Sequence, residues 1–141
     1  MTEIETLSPK SKYYLTKAQF RTVYYYAKQY PEWLNEYNAL NHSVKSPAPG
    51  NDSGGSNGTV SDTTALLGAR RAALRSRMEI IEDLCEEVAP EISNYLLLGV
   101  TGDGVGYQEL DNMNIPCGRN TYYSKRRIFY HRLYQTLYNA G

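Results

Sequence analysis

Apolar residues recur at intervals of three and four along most of the chain, which is the period of an amphipathic α-helix. The first run follows Thr16, which can form a capping box with Gln19, so a helix is predicted to begin near Lys17. Tyr30-Pro31 should end this helix, because proline lacks a backbone N–H and restricts the residue before it. The predicted apolar stripe comprises Phe20, Val23, Tyr24, Ala27 and Tyr30.

A second helix is predicted to start at Pro31, whose fixed φ suits the first helical position. Residues 46–60, SPAPGNDSGGSNGTV, consist almost entirely of residues typical of a flexible linker or a long exposed loop. The pattern therefore predicts an N-terminal helical segment over residues 1–45, a linker over 46–60 and a helical domain over 61–141. The side chains of the second helix that are expected to face inward are Trp33, Leu34, Tyr37 and Leu40.

A long helix is predicted from Ser61 or Asp62 to about Val88. Its arginines lie early and its acids late, the reverse of the order that the helix dipole favours. An antiparallel neighbour would compensate for this order, and the 62–88 helix of a second copy is one candidate, which leaves a homodimer open. The simpler alternative is a solvated charged face on a core helix. The core stripe is predicted to be Leu67, Leu74, Met78, Ile81, Cys85 and Val88.

Residues 105–138 have the pattern of a helix-turn-helix. A short amphipathic segment from Tyr107 to Met113 is followed by a compact turn, Asn114 to Gly118, and then by a longer helix that is basic and polar at its start. Before it, Ala89-Pro90 ends the long helix and a further helix, PEISNYLLLGV, is predicted. The fold class is therefore predicted to be all-α.

Composition changes this interpretation in one respect. The net charge is zero, with 15 basic and 15 acidic residues, which argues against general coating of nucleic acid. The charge is segregated, however: residues 119–141 hold five cations and no acid, whereas residues 61–91 hold four arginines against seven acids. A polyanionic partner is therefore expected only at the C-terminal end.

In a helix-turn-helix the first helix braces the second, whose N-terminal turn enters the major groove of DNA. Leu110, Met113 and Ile115 are predicted to brace the motif, and Gly118 to permit a tight entry into the second helix. Tyr123, Tyr130, Leu133 and Leu137 are spaced for the core. Asn120, Thr121, Ser124, Lys125 and Arg127 lie near the start of the second helix, largely on faces other than the core face. There an asparagine can bind adenine and an arginine or lysine can bind guanine, and the sequence leaves open which of the five reach bases. Contacts to the DNA backbone are expected from Arg119, Tyr122, Arg126 and Arg132.

The string IPCGRNTYYSKRR over residues 115–127, followed by Phe129-Tyr130 and Leu133, resembles the C-terminal end of small prophage-encoded proteins of Gram-positive bacteria. It is similar to the ArpU and RinA group of phage late transcriptional regulators, whose helix-turn-helix is similar to region four of sigma factors. The resemblance implies binding to double-stranded promoter DNA, with host RNA polymerase as a further candidate partner. The chain departs from sigma-type motifs in carrying tyrosines on the braced face, where small or aliphatic residues are usual.

Catalysis and cofactors are not expected. The two histidines, His42 and His131, and the two cysteines, Cys85 and Cys117, have no metal-ligand spacing. Free cysteines, together with the lack of a signal peptide or a long apolar run, favour the bacterial cytoplasm and no membrane. Two other functions stay open: a small terminase-like DNA-recognition component of phage packaging, and a protein-interaction module that does not bind DNA.

Overall fold

The computed structural model describes residues 11–45 and 57–138 of the chain. These residues form helices and connecting turns without any strand, which confirms the predicted all-α fold class. A 3₁₀ turn, Pro90–Ile92, lies between the third and fourth helices. The helices are α1 (Lys17–Lys28), α2 (Tyr30–Lys45), α3 (Asn57–Val88), α4 (Ser93–Thr101), α5 (Tyr107–Asn112) and α6 (Arg119–Tyr138).

The start of α1 is the one predicted. The Thr16 hydroxyl accepts from the backbone N–H of Gln19 at 3.1 Å, and the Gln19 side chain accepts from the backbone N–H of Thr16 at 2.9 Å. These reciprocal bonds satisfy two donors that a helix start leaves free. The helix ends at Lys28, and α2 begins at Tyr30, one residue before the predicted start at Pro31.

The predicted linker is shortened at its C-terminal end. Residues 57–60 are already helical, so α3 begins four residues before Ser61, and residues 46–56 of the linker lie outside the described residues. Once a helix has formed, each added residue gains a hydrogen bond without needing an apolar side chain. A polar composition therefore did not prevent helix formation here. The end of α3 at Val88 agrees with the prediction.

The described residues divide into two compact units. One unit comprises residues 11–30 and 80–138, and the other residues 31–45 and 57–79. In the first unit α1 packs against α4 and α6, and α4 packs against α5 and α6. The core of this unit includes Val23, Ala27, Ile81, Leu84, Cys85, Leu96, Val100, Leu110, Tyr122, Phe129 and Leu133.

In the second unit, the arginines of α3 find partners on α2. The Arg70 guanidinium donates two hydrogen bonds, of 2.7 and 2.9 Å, to the Glu36 carboxylate. Arg71 lies over the Tyr37 ring at 4.4 Å, and Arg77 lies 5.7 Å from the Trp33 ring centroid. These contacts give three arginines of α3 partners within this unit.

Among the helices that the structure describes, none is long and apolar enough to cross a membrane.

Candidate nucleic-acid interface

The turn between α5 and α6 is built by hydrogen bonds that close the end of α5. The backbone N–H of Asn114 donates to Asp111 O at 2.9 Å, and that of Ile115 donates to Leu110 O at 3.1 Å. Asn114 has a φ of 67°, and both Leu110 and Ile115 are buried. This is a Schellman motif, with its left-handed residue and its accompanying apolar contact. The chain direction after α5 is therefore set by local bonding.

The left-handed residue of this turn is Asn114, and Gly118 does not have that role. Gly118 has no positive φ, and a Cβ built there would have no heavy atom within 4 Å. Its carbonyl accepts the first helical hydrogen bond of α6, from Tyr122 N–H at 3.1 Å. The prediction that Gly118 permits the tight entry is thus wrong, because asparagine is the other residue that tolerates the left-handed region.

Two tyrosines join α5 to the beginning of α6. The Tyr107 hydroxyl donates to Cys117 O at 2.7 Å, and the Tyr123 hydroxyl accepts from the Tyr107 backbone N–H at 3.2 Å. The Arg119 guanidinium lies over the Tyr107 ring, 5.1 Å from its centroid. These contacts hold the short first helix against the second. No local pattern predicts this role of Tyr107, because the hydrogen bonds of a tyrosine hydroxyl depend on tertiary position.

The start of α6 presents polar side chains to solvent. Arg119, Asn120, Thr121 and Ser124 are all exposed. The first turn of the helix contains no acid, and the first backbone N–H groups of a helix have no partner within it. Free N–H groups, the positive end of the helix dipole and exposed polar side chains together suit the binding of an anion such as phosphate.

The buried face of α6 differs from the predicted one by about one residue. Tyr122 and Phe129 are fully buried, whereas Tyr123 and Leu137 are half-buried. Tyr130 and Leu133 are buried as predicted. Polarity misled the sequence interpretation, since the buried stripe at positions 122, 126, 129 and 133 contains an arginine. Tyr122, expected to contact the DNA backbone, is therefore a core residue.

Arg126 is the arginine on that stripe, and it is only 8% exposed. Its guanidinium lies between two rings, 5.0 Å from the centroid of Tyr123 and 5.7 Å from that of Tyr130. Within the described residues it forms no ion pair. Cation–π contacts and burial of the aliphatic stem explain how a charged residue is tolerated there. We therefore exclude Arg126 from the exposed surface, in contrast to its predicted contact with the DNA backbone.

The remaining cations of α6 lie on its outer side. Lys125 and Arg127 are half-buried, and Arg132 forms an ion pair with Glu87 of α3 at 2.7 Å. An exposed pair of this kind stabilises little and leaves the guanidinium partly accessible. By helical spacing, Asn120, Ser124 and Arg127 form one outer row, and Thr121, Lys125 and Arg132 form another. The first row holds two polar side chains and one cation, and the second holds one polar side chain and two cations.

The described part of the molecule offers little for nucleophilic or metal chemistry. Burial raises the pKa of the Cys85 thiol to about 12, and burial together with Glu91 raises that of Cys117. Both shifts favour the thiol over the thiolate, which is the nucleophilic form. Over residues 11–45 and 57–138, no group of three or more His, Cys, Asp or Glu side chains is placed to hold a metal ion.

Comparison of the chain with protein-family models, with curated proteins and with solved structures finds no match.

Proposed function

We propose that the protein is a DNA-binding transcriptional regulator of phage type, which uses α5 and α6 as a helix-turn-helix. The observation that supports this proposal best is the exposure of Asn120, Thr121 and Ser124 at the start of an acid-free helix. A helix end of this kind can enter the major groove, where an asparagine amide can bind adenine and a lysine can bind guanine.

The proposal divides the side chains of α6 by role. Asn120, Thr121, Ser124, Lys125 and Arg127 would face the bases, and Arg119 and Arg132 would contact phosphates. Base contacts supply sequence preference, whereas phosphate contacts supply affinity that falls with salt. As a further part of the proposal, the protein acts in the bacterial cytoplasm. Host RNA polymerase as a partner and a homodimer through residues 62–88 stay predictions.

Fluorescence anisotropy with labelled duplexes tests the proposal directly. The duplexes are the upstream DNA of the gene's own genomic neighbourhood and a shuffled sequence of equal length. We expect the upstream duplex to bind more tightly, with an affinity that falls steeply as salt rises. Asn120→Ala should reduce the preference between the two duplexes by roughly 1–3 kcal/mol. Gln135→Ala is the control, because it removes an exposed amide from the far end of the same helix.

The other outcomes of this experiment are informative. Absence of binding to any duplex at low salt would overturn the proposal and favour a protein-interaction module. DNA binding by a large ring in light scattering would instead favour a terminase-like packaging component. An equal loss of affinity for both duplexes in Asn120→Ala would show that this side chain does not contact bases.

A further inference from the structure

The first helix of the protein, α1, carries positive charge although it lies outside the helix-turn-helix. Residues 11–29 contain Lys12, Lys17, Arg21 and Lys28 and no acid. Lys17 and Arg21 are exposed, and within the described residues neither forms an ion pair. Elsewhere, by contrast, Arg70 and Arg132 are paired with glutamates. Two solvent-facing cations one helical turn apart are therefore left without a counter-charge.

This basic helix packs directly on α6. Phe20 and Tyr24 lie against Tyr130, with ring centroids at 5.0 and 6.2 Å, and Tyr13 meets His131 edge-on at 5.6 Å. The sequence after Asp111 contains no acid, so α6 is acid-free over its full length. The contact thus joins two helices that each carry positive charge only. Their fields add, and an anion near one helix is attracted by both.

Lys28 shows which way the cations of α1 face. Its ammonium group donates to Gly102 O, at the beginning of the loop that leads to α5. Lys17, Arg21 and Lys28 are separated by four and seven residues, so they lie on one face of the helix. Lys17 and Arg21 therefore project from the same face of α1 as Lys28, whose ammonium group contacts the loop before α5.

We propose that Lys17 and Arg21 extend the DNA-contacting surface from α6 onto α1 by binding phosphates beside the groove that α6 enters. This inference rests on the proposed function, because it names the part of the duplex that a second element of the same unit binds. The ligand is the sugar–phosphate backbone, since α1 lies outside the helix-turn-helix whose second helix enters the groove. Lys17 and Arg21 contribute affinity and its salt dependence but not sequence preference.

The test compares the wild-type chain with the double variant Lys17→Ala/Arg21→Ala. Binding to a labelled mixed-sequence duplex of about 30 base pairs is measured between roughly 50 and 200 mM KCl. Each phosphate contact contributes about 0.9 to the slope of log affinity against log salt. We therefore expect the slope to fall by about 2 in the variant. The factor by which affinity falls between the lowest and the highest salt should then be about tenfold smaller for the variant than for the wild type. The preference for the upstream over the shuffled duplex should not change.

The matched control is Arg70→Ala/Arg75→Ala, which removes the same charge from side chains of the other unit. An unchanged slope in the α1 variant, with wild type still binding, would overturn the inference and leave the proposed function standing. An equal change in the control variant would also overturn it, by showing an effect of net charge alone. Failure of the wild-type chain to bind any duplex would overturn the proposed function and this inference together.

Discussion

The hydroxyl of Tyr122 lies directly over Gly99, where α6 crosses α4. A Cβ built on Gly99 would lie 1.8 Å from this hydroxyl oxygen and 3.0 Å from Cζ of the ring. A Cβ atom essentially never lies so close to another heavy atom, so the lack of a side chain at Gly99 makes room for the Tyr122 ring. The pair explains how the buried face of α6 accommodates a large ring where it crosses α4.

Gly99→Ala should therefore destabilise the protein. Overpacking of a core costs about 1–3 kcal/mol, and the better helix propensity of alanine returns about 1 kcal/mol of that. We expect the free energy of unfolding, measured by urea denaturation, to fall by up to about 2 kcal/mol. In a Tyr122→Phe background the loss should be smaller, because the atom nearest to the added Cβ is gone. Equal losses in the two backgrounds would contradict this assignment of the clash.

Tyr122→Phe alone is the necessary control. The Tyr122 hydroxyl is buried and has no hydrogen-bond partner of good geometry among the described residues, although the Arg126 guanidinium lies near enough to lower its pKa. Burial raises the pKa of this hydroxyl to about 12, more than the nearby cation offsets. Because a buried hydroxyl without a partner is unfavourable, its removal should leave stability unchanged or raise it by about 1 kcal/mol.

Arg126 and Lys125 are neighbours in the sequence that should behave oppositely. Arg126→Ala removes stacking on Tyr123 and Tyr130 and a buried aliphatic stem, so it should cost about 2 kcal/mol in thermal or urea unfolding. Lys125→Ala should change stability by no more than about 0.5 kcal/mol but weaken DNA binding. Arg126→Met keeps the stem without the charge, and it should retain wild-type affinity for DNA. A loss of affinity in Arg126→Met with an unchanged melting temperature would place the guanidinium in the interface.

The turn between α5 and α6 makes a similar contrast. Asn114→Val places a β-branched side chain at a φ of 67° and should cost about 1–2 kcal/mol, whereas Asn114→Gly should be tolerated. Gly118→Ala should also be tolerated, because no atom would meet the added Cβ. Urea denaturation of the three variants checks this order. If Gly118→Ala were the only variant to destabilise the protein severely, the residue of the turn that needs the conformational freedom of glycine would be Gly118 and not Asn114.

His131 should make stability depend on pH. Burial, followed by the charge of Arg132, lowers the pKa of its imidazole below the ordinary value. The unfolded chain then binds the proton at a higher pH than the folded chain does. The unfolded state therefore holds more protons, and stability falls as the pH drops through about 6.5. His131→Gln should flatten the dependence of the unfolding free energy between about pH 7 and pH 5. An unchanged slope would assign the pH dependence to other groups.

Local patterns in the sequence were sufficient for most of the helices. Capping by Thr16 and Gln19, the break at Tyr30-Pro31 and the end of the long helix at Val88 all depend on residues within a few positions of each other. The exposed polar start of α6 was also predictable, because Asn120, Thr121 and Ser124 lie in its first two turns. Helix capping and helical periodicity act over this short range, so one sequence contains the information.

What only the tertiary structure decided is which of two adjacent stripes of α6 turns inward. Both stripes contain tyrosines, and periodicity cannot choose between positions 122 and 123 when each repeats with helical spacing. The choice depends on Gly99, which leaves space for the Tyr122 ring although it lies 23 positions earlier in the chain. The same packing buries Arg126 between rings and leaves Lys125 outside. Space of this kind belongs to the assembled helices and has no local signal in the sequence.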